Sequence, residues 1–289
     1  MRSPTVDCNA LPRRLFGWIA AAVIAHALSG PLSAQWLHYP TADVPRKADG
    51  SPDLKAPAPR QADGKPDFSG IWGTADRLPC LAKFDVFLEC GIELPASPLA
   101  INLGAGSPAG LPYQPWAAAL VKQRTADQSK DDPHARCLPD NPPRPYGLPH
   151  LTRAVHTRRM LVLLYEVNAM YRQIFIDGRP LPDDPTPAWN GYSTAAWEGD
   201  TLVVRTAGFR DGLWLDSGGS PMTDAAKMTE RFRRPNFGTL ELEITVDDPK
   251  AYTRPWTVSM PMEIRLDTDL IDEFCLEGEQ SSQRMRGTK

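Results

Sequence analysis

Five side chains that can take part in acid–base chemistry lie within one stretch of the chain. Tyr165 and Glu166 end one predicted strand, and Arg172 lies in the next. His156 precedes them, and Asp216 follows in a glycine-rich loop. A phenol, a carboxylate or an imidazole can donate or accept a proton beside a bound substrate. These five residues are therefore the candidate catalytic set of a lyase, isomerase or hydrolase that needs no cofactor.

Each of these residues also has a structural explanation. Asp is a common turn former, so Asp216 fits its loop without any chemistry. His156 can be a hydrogen-bonded histidine at the rim of a sheet. Arg172 shares its strand face with apolar residues, where an unpaired charge is costly. The sequence leaves two roles open for it, contact with an anionic or carbonyl-bearing ligand and a structural ion pair with Glu230 or Asp216.

Large aromatic residues supply a second candidate set, for binding rather than catalysis. Trp72, Trp197 and Trp256, together with Tyr165 and Arg172, are the predicted ligand-binding residues. A small β-barrel can enclose one compact ligand. The first functional hypothesis is thus the binding of a small apolar or amphipathic molecule in a barrel. The alternatives are the enzyme described above and a structural or interaction protein whose barrel is packed.

Composition narrows these choices. The 289 residues carry a net charge of -3, and no basic face emerges, so nucleic acid is not an expected partner. No phosphate loop, dinucleotide fingerprint or nucleophile elbow is present, and no cofactor is expected. His150 and His156 would stand about 20 Å apart along one extended strand, so they cannot share a metal. No metal site is predicted.

The first 34 residues are predicted to be a signal peptide. Arg13 and Arg14 precede the apolar run from Leu15 to Leu28, and Ala34 is a suitable cleavage position. The run is too short to span a bilayer, so we expect a periplasmic or secreted protein with no membrane contact after cleavage. The arginine pair favours the twin-arginine route no more than the general secretory route.

Four cysteines follow the leader, and export would expose them to an oxidising compartment. They allow three pairings, of which we favour Cys80 with Cys90 and Cys137 with Cys275. A zinc site is disfavoured, because no cysteine pair has ligand spacing.

The segment Gly191 to Phe209 predicts a β-hairpin. Gly199-Asp200 suits a two-residue turn and pairs Glu198 with Thr201. Alternation then places six residues on one face. They are Ser193, Ala195, Trp197, Leu202, Val204 and Thr206. A second hairpin, with its turn at Asn168-Ala169, would pair Tyr165 with Arg172.

The remaining elements predict a mainly β protein. Residues 35–66 are proline-rich and contain two similar Asp-Gly turns, which predicts a strap over the surface. Residues 67–289 form the predicted barrel domain, an antiparallel up-and-down, lipocalin-like barrel. Residues 73–149 interrupt it as a loop-rich insertion, or lid, with one helix from Trp116 to Gln128. Strands are predicted at Gly70–Thr74, Leu151–Thr157, Met160–Val167, Met170–Asp177, the hairpin, Met228–Arg234, Thr239–Val246, Trp256–Ile264 and Leu270–Glu277.

Two resemblances accompany this reading. Gly70-Ile71-Trp72 resembles the first-strand signature of lipocalins and related calycin barrels, which implies that Trp72 packs across one barrel end. The phrases PDFSGIW, YQPWAAALVKQR, DDPHARCLP, YRQIFIDGRPLP, WEGDTLVVRT, TERFRR and DDPKAYTRPWTV resemble an uncharacterised family of exported bacterial proteins of acidobacterial and proteobacterial type. Relatives of that type carry histidines where this chain has Ser220, Met222 and Lys227, so a histidine–metal site is not carried over.

Overall fold

The computed structural model describes residues 39–76 and 96–277, and from Pro40 onward they belong to one compact unit. It is mainly β, with twelve strands in the described part of the chain. They are β1 Gly70–Thr74, β2 Thr152–His156, β3 Met160–Tyr165, β4 Met170–Phe175, β5 Tyr192–Glu198, β6 Thr201–Ala207, β7 Leu213–Trp214, β8 Pro221–Met222, β9 Lys227–Arg233, β10 Thr239–Asp247, β11 Trp256–Ser259 and β12 Met262–Ile264.

Nine of these strands close into a barrel. The order around the ring is β1-β2-β3-β4-β5-β6-β9-β10-β12, and β12 pairs back with β1. The strands follow one another in chain order, apart from the small β7–β8 hairpin and β11, which extends β12 along the same side of β10. The predicted up-and-down barrel is therefore confirmed.

Strand direction departs from the prediction at one place. β4 and β5 run parallel, with Ile174 beside Ser193, whereas every other pair in the ring is antiparallel. A closed ring with an odd number of strands cannot alternate throughout, so a nine-strand barrel needs at least one parallel pair. The long connection from 176 to 191 carries the chain back along the barrel between these two strands.

The predicted hairpin is confirmed in detail. Glu198 pairs with Thr201 and Trp197 with Leu202, as the Gly199-Asp200 turn requires. Gly199 has φ near 60°, a conformation that glycine adopts without strain. The predicted face turns into the barrel, where Ser193, Leu202, Val204 and Thr206 are buried.

The β3–β4 turn differs from the prediction. Residues Val167–Ala169 form a short 3-10 turn in which Asn168 and Ala169 have positive φ, so the loop is longer than two residues. Tyr165 pairs with Met170, and Arg172 pairs with Leu163 instead of Tyr165. The register moves by two residues. Because side chains alternate with a period of two, Arg172 and Tyr165 still face inward together.

The last predicted strand, Leu270–Glu277, does not form. This segment is irregular and leaves the barrel, whose ring is already complete without it. Glu273 contacts His150, and Cys275 forms a disulfide with Cys137, so the segment is tied to the insertion. The Cys137–Cys275 prediction is confirmed. Cys80 and Cys90 lie outside the described residues, as does the predicted signal peptide.

Three α-helices occur among the described residues, all in the insertion. They are α1 Pro98–Ile101, α2 Pro115–Ala126 and α3 Arg144–Gly147. The predicted helix corresponds to α2, which begins at Pro115, a favourable first position. β1 continues to Thr74, so the insertion follows that residue and does not start at 73. None of the described helices is both long and apolar enough to cross a bilayer.

The strap makes the same small turn twice. Arg46 donates to Gly50, and Arg60 donates to Gly64, each across an Asp-Gly turn. Only the second turn is followed by a fully buried residue, Phe68. That turn also binds the β5–β6 hairpin, where the Arg60 guanidinium contacts the Asp200 carboxylate at 2.6 Å.

Candidate functional site

An aromatic column fills the barrel interior. It is defined by Trp197, Phe68, Phe232, Tyr146 and Tyr165, with successive ring centroids 5.6, 6.1, 6.4 and 6.3 Å apart. Phe68 comes from the strap and Tyr146 from α3, so each barrel end receives a ring from outside the sheet. Close packing of this kind is typical of a protein core. These side chains occupy part of the interior in which we predicted a ligand.

A polar cluster borders the column. Arg172 and Glu230 form a buried ion pair with two contacts, one of them 2.9 Å between Nη1 and Oε1. Arg172 also donates to the Ser193 and Thr206 hydroxyls at 3.1 and 2.9 Å. Burial alone would lower the pKa of Arg172, but the Glu230 carboxylate more than offsets it and holds that pKa well above its usual value. Of the two predicted ion-pair partners of Arg172, Glu230 is therefore the one that forms the pair.

Tyr146 completes this cluster. Its hydroxyl donates to Glu230 and accepts from Arg172, both at 2.8 Å. Burial raises the pKa of Tyr146 and of Tyr165, so both phenols remain protonated near neutral pH. They can donate hydrogen bonds but cannot serve as bases there. The Tyr165 hydroxyl is buried without a hydrogen-bond partner among the described residues.

His156 and Trp72 lie at the strap end of the barrel. His156 stacks on Phe68, with ring centroids 5.3 Å apart, and its Nδ1 lies 3.5 Å from the Asp67 carboxylate. Trp72 is buried and donates from its indole N–H to the Phe68 carbonyl. The Arg234 guanidinium lies 4.8 Å from the Trp72 ring. This agrees with a tryptophan that packs across one barrel end.

Glu166 and Asp216 lie outside the interior. Glu166 accepts hydrogen bonds from the backbone of Leu151 and Ile271, which ties the C-terminal segment to β2. Asp216 is buried beneath the insertion and accepts from the Leu103 N–H and from Ser220. Burial raises the pKa of Asp216, and the Ser220 hydroxyl opposes that shift.

The predicted catalytic set therefore does not converge. Only Tyr165 and Arg172 lie close together. Tyr165 pairs with Thr152 at the start of β2, whereas His156 lies at the end of β2 and pairs with Leu161. The carboxylates of Glu166 and Asp216 accept backbone hydrogen bonds elsewhere. Sequence reasoning missed Tyr146, because nothing local in its proline-rich segment indicates that its ring enters the barrel. The predicted ligand-binding tryptophans are also separated. Trp72 and Trp197 lie beside Phe68 at the strap end, whereas Trp256 lies on β11.

Trp256 instead lines a cleft beside β11, a strand that lies outside the nine-strand ring. The cleft, hereafter the β11 cleft, has a volume of about 380 Å³ and lies between β11 and the insertion. Its walls are Leu99, Leu103, Leu111, Pro112, Trp256 and Val258, and its polar groups come from Ser107, Arg254, Thr257 and Ser259. Its exposed lining is about equally polar and apolar, and its volume lies within the range of small-molecule sites. Trp256 is almost fully buried, and its indole N–H has no hydrogen-bond partner among the described residues.

In the described ranges, no cluster of three or more histidine, cysteine or acidic side chains is placed to hold a metal ion. His134 pairs with the buried Asp140 carboxylate at 2.8 Å, and this hydrogen bond raises the pKa of the imidazole. No protein-family model, curated protein or solved structure matches the chain significantly. A function for the protein must therefore be inferred from its geometry.

Proposed function

We propose that this protein binds a small amphipathic molecule in the β11 cleft, with the packed barrel as its rigid scaffold. The observation that carries the proposal is a cleft of about 380 Å³ that combines apolar walls with the exposed Arg254 side chain. An apolar surface beside a charged group suits a molecule with an apolar body and a charged end. The proposed ligand is amphipathic, as predicted from the sequence, but its site is the β11 cleft and not the barrel interior.

The charge at the rim favours an anionic group on that ligand. Arg254 is exposed and lines the cleft, while the opposite wall is formed by leucines of the insertion. A carboxylate placed beside Arg254 would leave an apolar body against Leu103 and Leu111. Small carboxylates with a short apolar chain therefore fit this site best.

We also propose that the protein works outside the cytoplasm after loss of residues 1–34. The disulfide between Cys137 and Cys275 supports this, since such bonds persist in oxidising compartments. The resemblance to exported bacterial proteins points the same way.

Calorimetric titration with octanoate tests the binding proposal. We expect one saturable site, about tenfold weaker in Arg254→Met because a charge-assisted contact is lost. Arg205→Met is the matched control, because Arg205 is an exposed arginine on the outer face of β6, away from the cleft lining. Octanol should bind both variants and the parent equally. No saturable binding, or equal loss in both arginine variants, would remove the proposed site.

A further inference from the structure

The insertion wall of the β11 cleft consists of two pieces. Leu99 and Leu103 form the first piece, and Leu111 and Pro112 form the second. Neither piece belongs to a strand of the barrel, so other contacts must hold each of them at its distance from β11. Both pieces are connected to the loop between β7 and β8, which begins with Leu215 and Asp216.

This loop holds the first piece by hydrogen bonds. The backbone N–H groups of residues 217 and 218 donate to the Ala100 and Ile101 carbonyls at 2.9 and 2.7 Å. Leu103 donates its own N–H to Asp216 Oδ2 at 2.8 Å. Leu103 is buried and lines the cleft, so the carboxylate of Asp216 fixes the backbone of a residue in the wall.

The same carboxylate reaches the second piece through two hydroxyl groups. The Ser220 hydroxyl donates to Asp216 Oδ2 at 2.6 Å, so its oxygen is left to accept. The Tyr113 hydroxyl lies 2.7 Å from that oxygen and therefore donates to it. Tyr113 directly follows Pro112, whose carbonyl also accepts from the Thr253 N–H. Loss of the carboxylate should therefore displace the first piece more than the second.

Only the charged form of Asp216 can accept all of these bonds. Its two oxygens accept from the Leu103 N–H, the Ser220 N–H and the Ser220 hydroxyl. A carboxylic acid carries a hydrogen on one of the oxygens, so at least one of the three donors would lose its acceptor. Burial raises the pKa of Asp216, although the Ser220 hydroxyl and the Leu103 N–H oppose the shift. Asp216 is therefore protonated at a higher pH than an exposed aspartate.

The other charged and titratable groups that face Asp216 come from the insertion and from the β10–β11 connection. They are Arg124 on α2, Arg144 on α3 with its partner Asp132, Tyr113 and Tyr252. Burial raises the pKa of both phenols, so they stay neutral. The two arginines favour the charged carboxylate, and the burial of Asp216 outweighs them.

We propose that Asp216 is a pH-sensitive positioning residue for the β11 cleft: its charged carboxylate holds the insertion wall in the form that binds ligand, and its protonation weakens binding. The inference rests on the proposed function and concerns the regulation of that site. By linkage, a bound ligand favours the charged carboxylate to the same degree. The affinity is therefore complete above the pKa that Asp216 has in the free protein, and it falls as the pH drops through that pKa.

Calorimetric titration with octanesulfonate between about pH 7.5 and about pH 4.5 tests this, because the sulfonate keeps its charge while aspartate with a raised pKa does not. We expect the parent protein to lose affinity at least about fivefold over this range. Asp216→Asn replaces one accepting oxygen by a donor, so it should bind as weakly at the higher pH as at the lower one. Ser220→Ala should move the midpoint of the loss to higher pH, because the hydroxyl that opposes the pKa shift is gone.

Asp67→Asn is the matched control. Asp67 also accepts a backbone N–H, from Ser69, but it lies at the strap end of the barrel and does not line the cleft. This variant should show the pH dependence of the parent protein. A histidine that caused the effect would leave the pH dependence intact in Asp216→Asn, and that result would overturn the inference. An affinity of the parent protein that does not change with pH would overturn it as well.

The two proposals fail separately. If octanoate does not bind the parent protein at neutral pH, the proposed function falls, and this inference falls with it. If octanoate binds in an Arg254-dependent way, equal binding by Asp216→Asn at neutral pH overturns the role of Asp216 alone. Circular dichroism verifies the fold of each variant. Should Asp216→Asn not fold, a midpoint that is unmoved in Ser220→Ala overturns the inference.

Discussion

The Arg172–Glu230 pair lies inside the barrel, almost fully removed from solvent. Transfer of two charges out of water costs several kcal/mol per ion, and the attraction within the pair repays it only when every group is bonded. Ser193, Thr206 and Tyr146 provide those further bonds. The pair is therefore stable as a unit but intolerant of losing one member.

Substitution of Arg172 should show this dependence. Arg172→Met leaves the Glu230 charge buried and uncompensated, and we expect it to lower the free energy of unfolding by about 3–5 kcal/mol. The double variant with Glu230→Leu removes both charges and should recover most of that loss. Urea denaturation followed by circular dichroism measures both. A double variant as unstable as the single one would mean that shape, rather than charge, determines the effect.

At the scale of elements, the strap and the insertion behave as parts of the core. Each projects one aromatic ring into the barrel, Phe68 from the strap and Tyr146 from α3, and both rings are buried. The strap contains two similar turns, but Leu54, which follows the first, is 43% exposed. Both copies are held by the body of the protein, since Leu54 and Ala56 accept hydrogen bonds from Gly238 and Phe237. The repeat thus compares a buried side chain, Phe68, with a partly exposed one, Leu54.

Phe68→Ala should destabilise the protein by about 3–5 kcal/mol, because it opens a cavity between Trp197 and Phe232. Leu54→Ala, at the equivalent position of the first turn, should change stability by no more than about 0.5 kcal/mol. Thermal or urea unfolding of the two variants gives the comparison. Similar losses in both would show that the first turn packs as tightly as the second.

At the scale of the whole molecule, the disulfide joins two segments that lie outside the strands of the barrel. Cys137 lies in the insertion, and Cys275 lies in the irregular segment after β12, 138 residues later. Closure of so long a loop restricts the unfolded chain strongly.

Replacement of both cysteines by serine should lower the free energy of unfolding by about 5 kcal/mol in the chain-entropy account. The strands and the aromatic column do not depend on the bond, so the folded variant should keep the far-ultraviolet spectrum of the parent protein. Urea midpoints of the parent and the Cys137→Ser, Cys275→Ser variant test this. An unchanged midpoint would contradict a stabilising role.

Local pattern alone gave the barrel class, the helix near Trp116 and the register of the β5–β6 hairpin. Each depends on contacts between near neighbours, through side-chain alternation, helix propensity or the geometry of the Gly199-Asp200 turn. The β3–β4 register was wrong by two residues, because Glu166 and Val167 joined a longer turn. Tyr165 and Arg172 still point into the barrel, because a register shift of two residues does not change side-chain direction.

The sequence by itself therefore determined most of the barrel strands, the faces that they bury and that Cys137 could join Cys275. It did not predict the β7–β8 hairpin or the division of Trp256–Ile264 into β11 and β12. Only the tertiary structure decided what fills the barrel and where a ligand has room. Phe68, Tyr146 and Trp256 reach their places through contacts across the whole chain, and residue spacing does not encode such contacts.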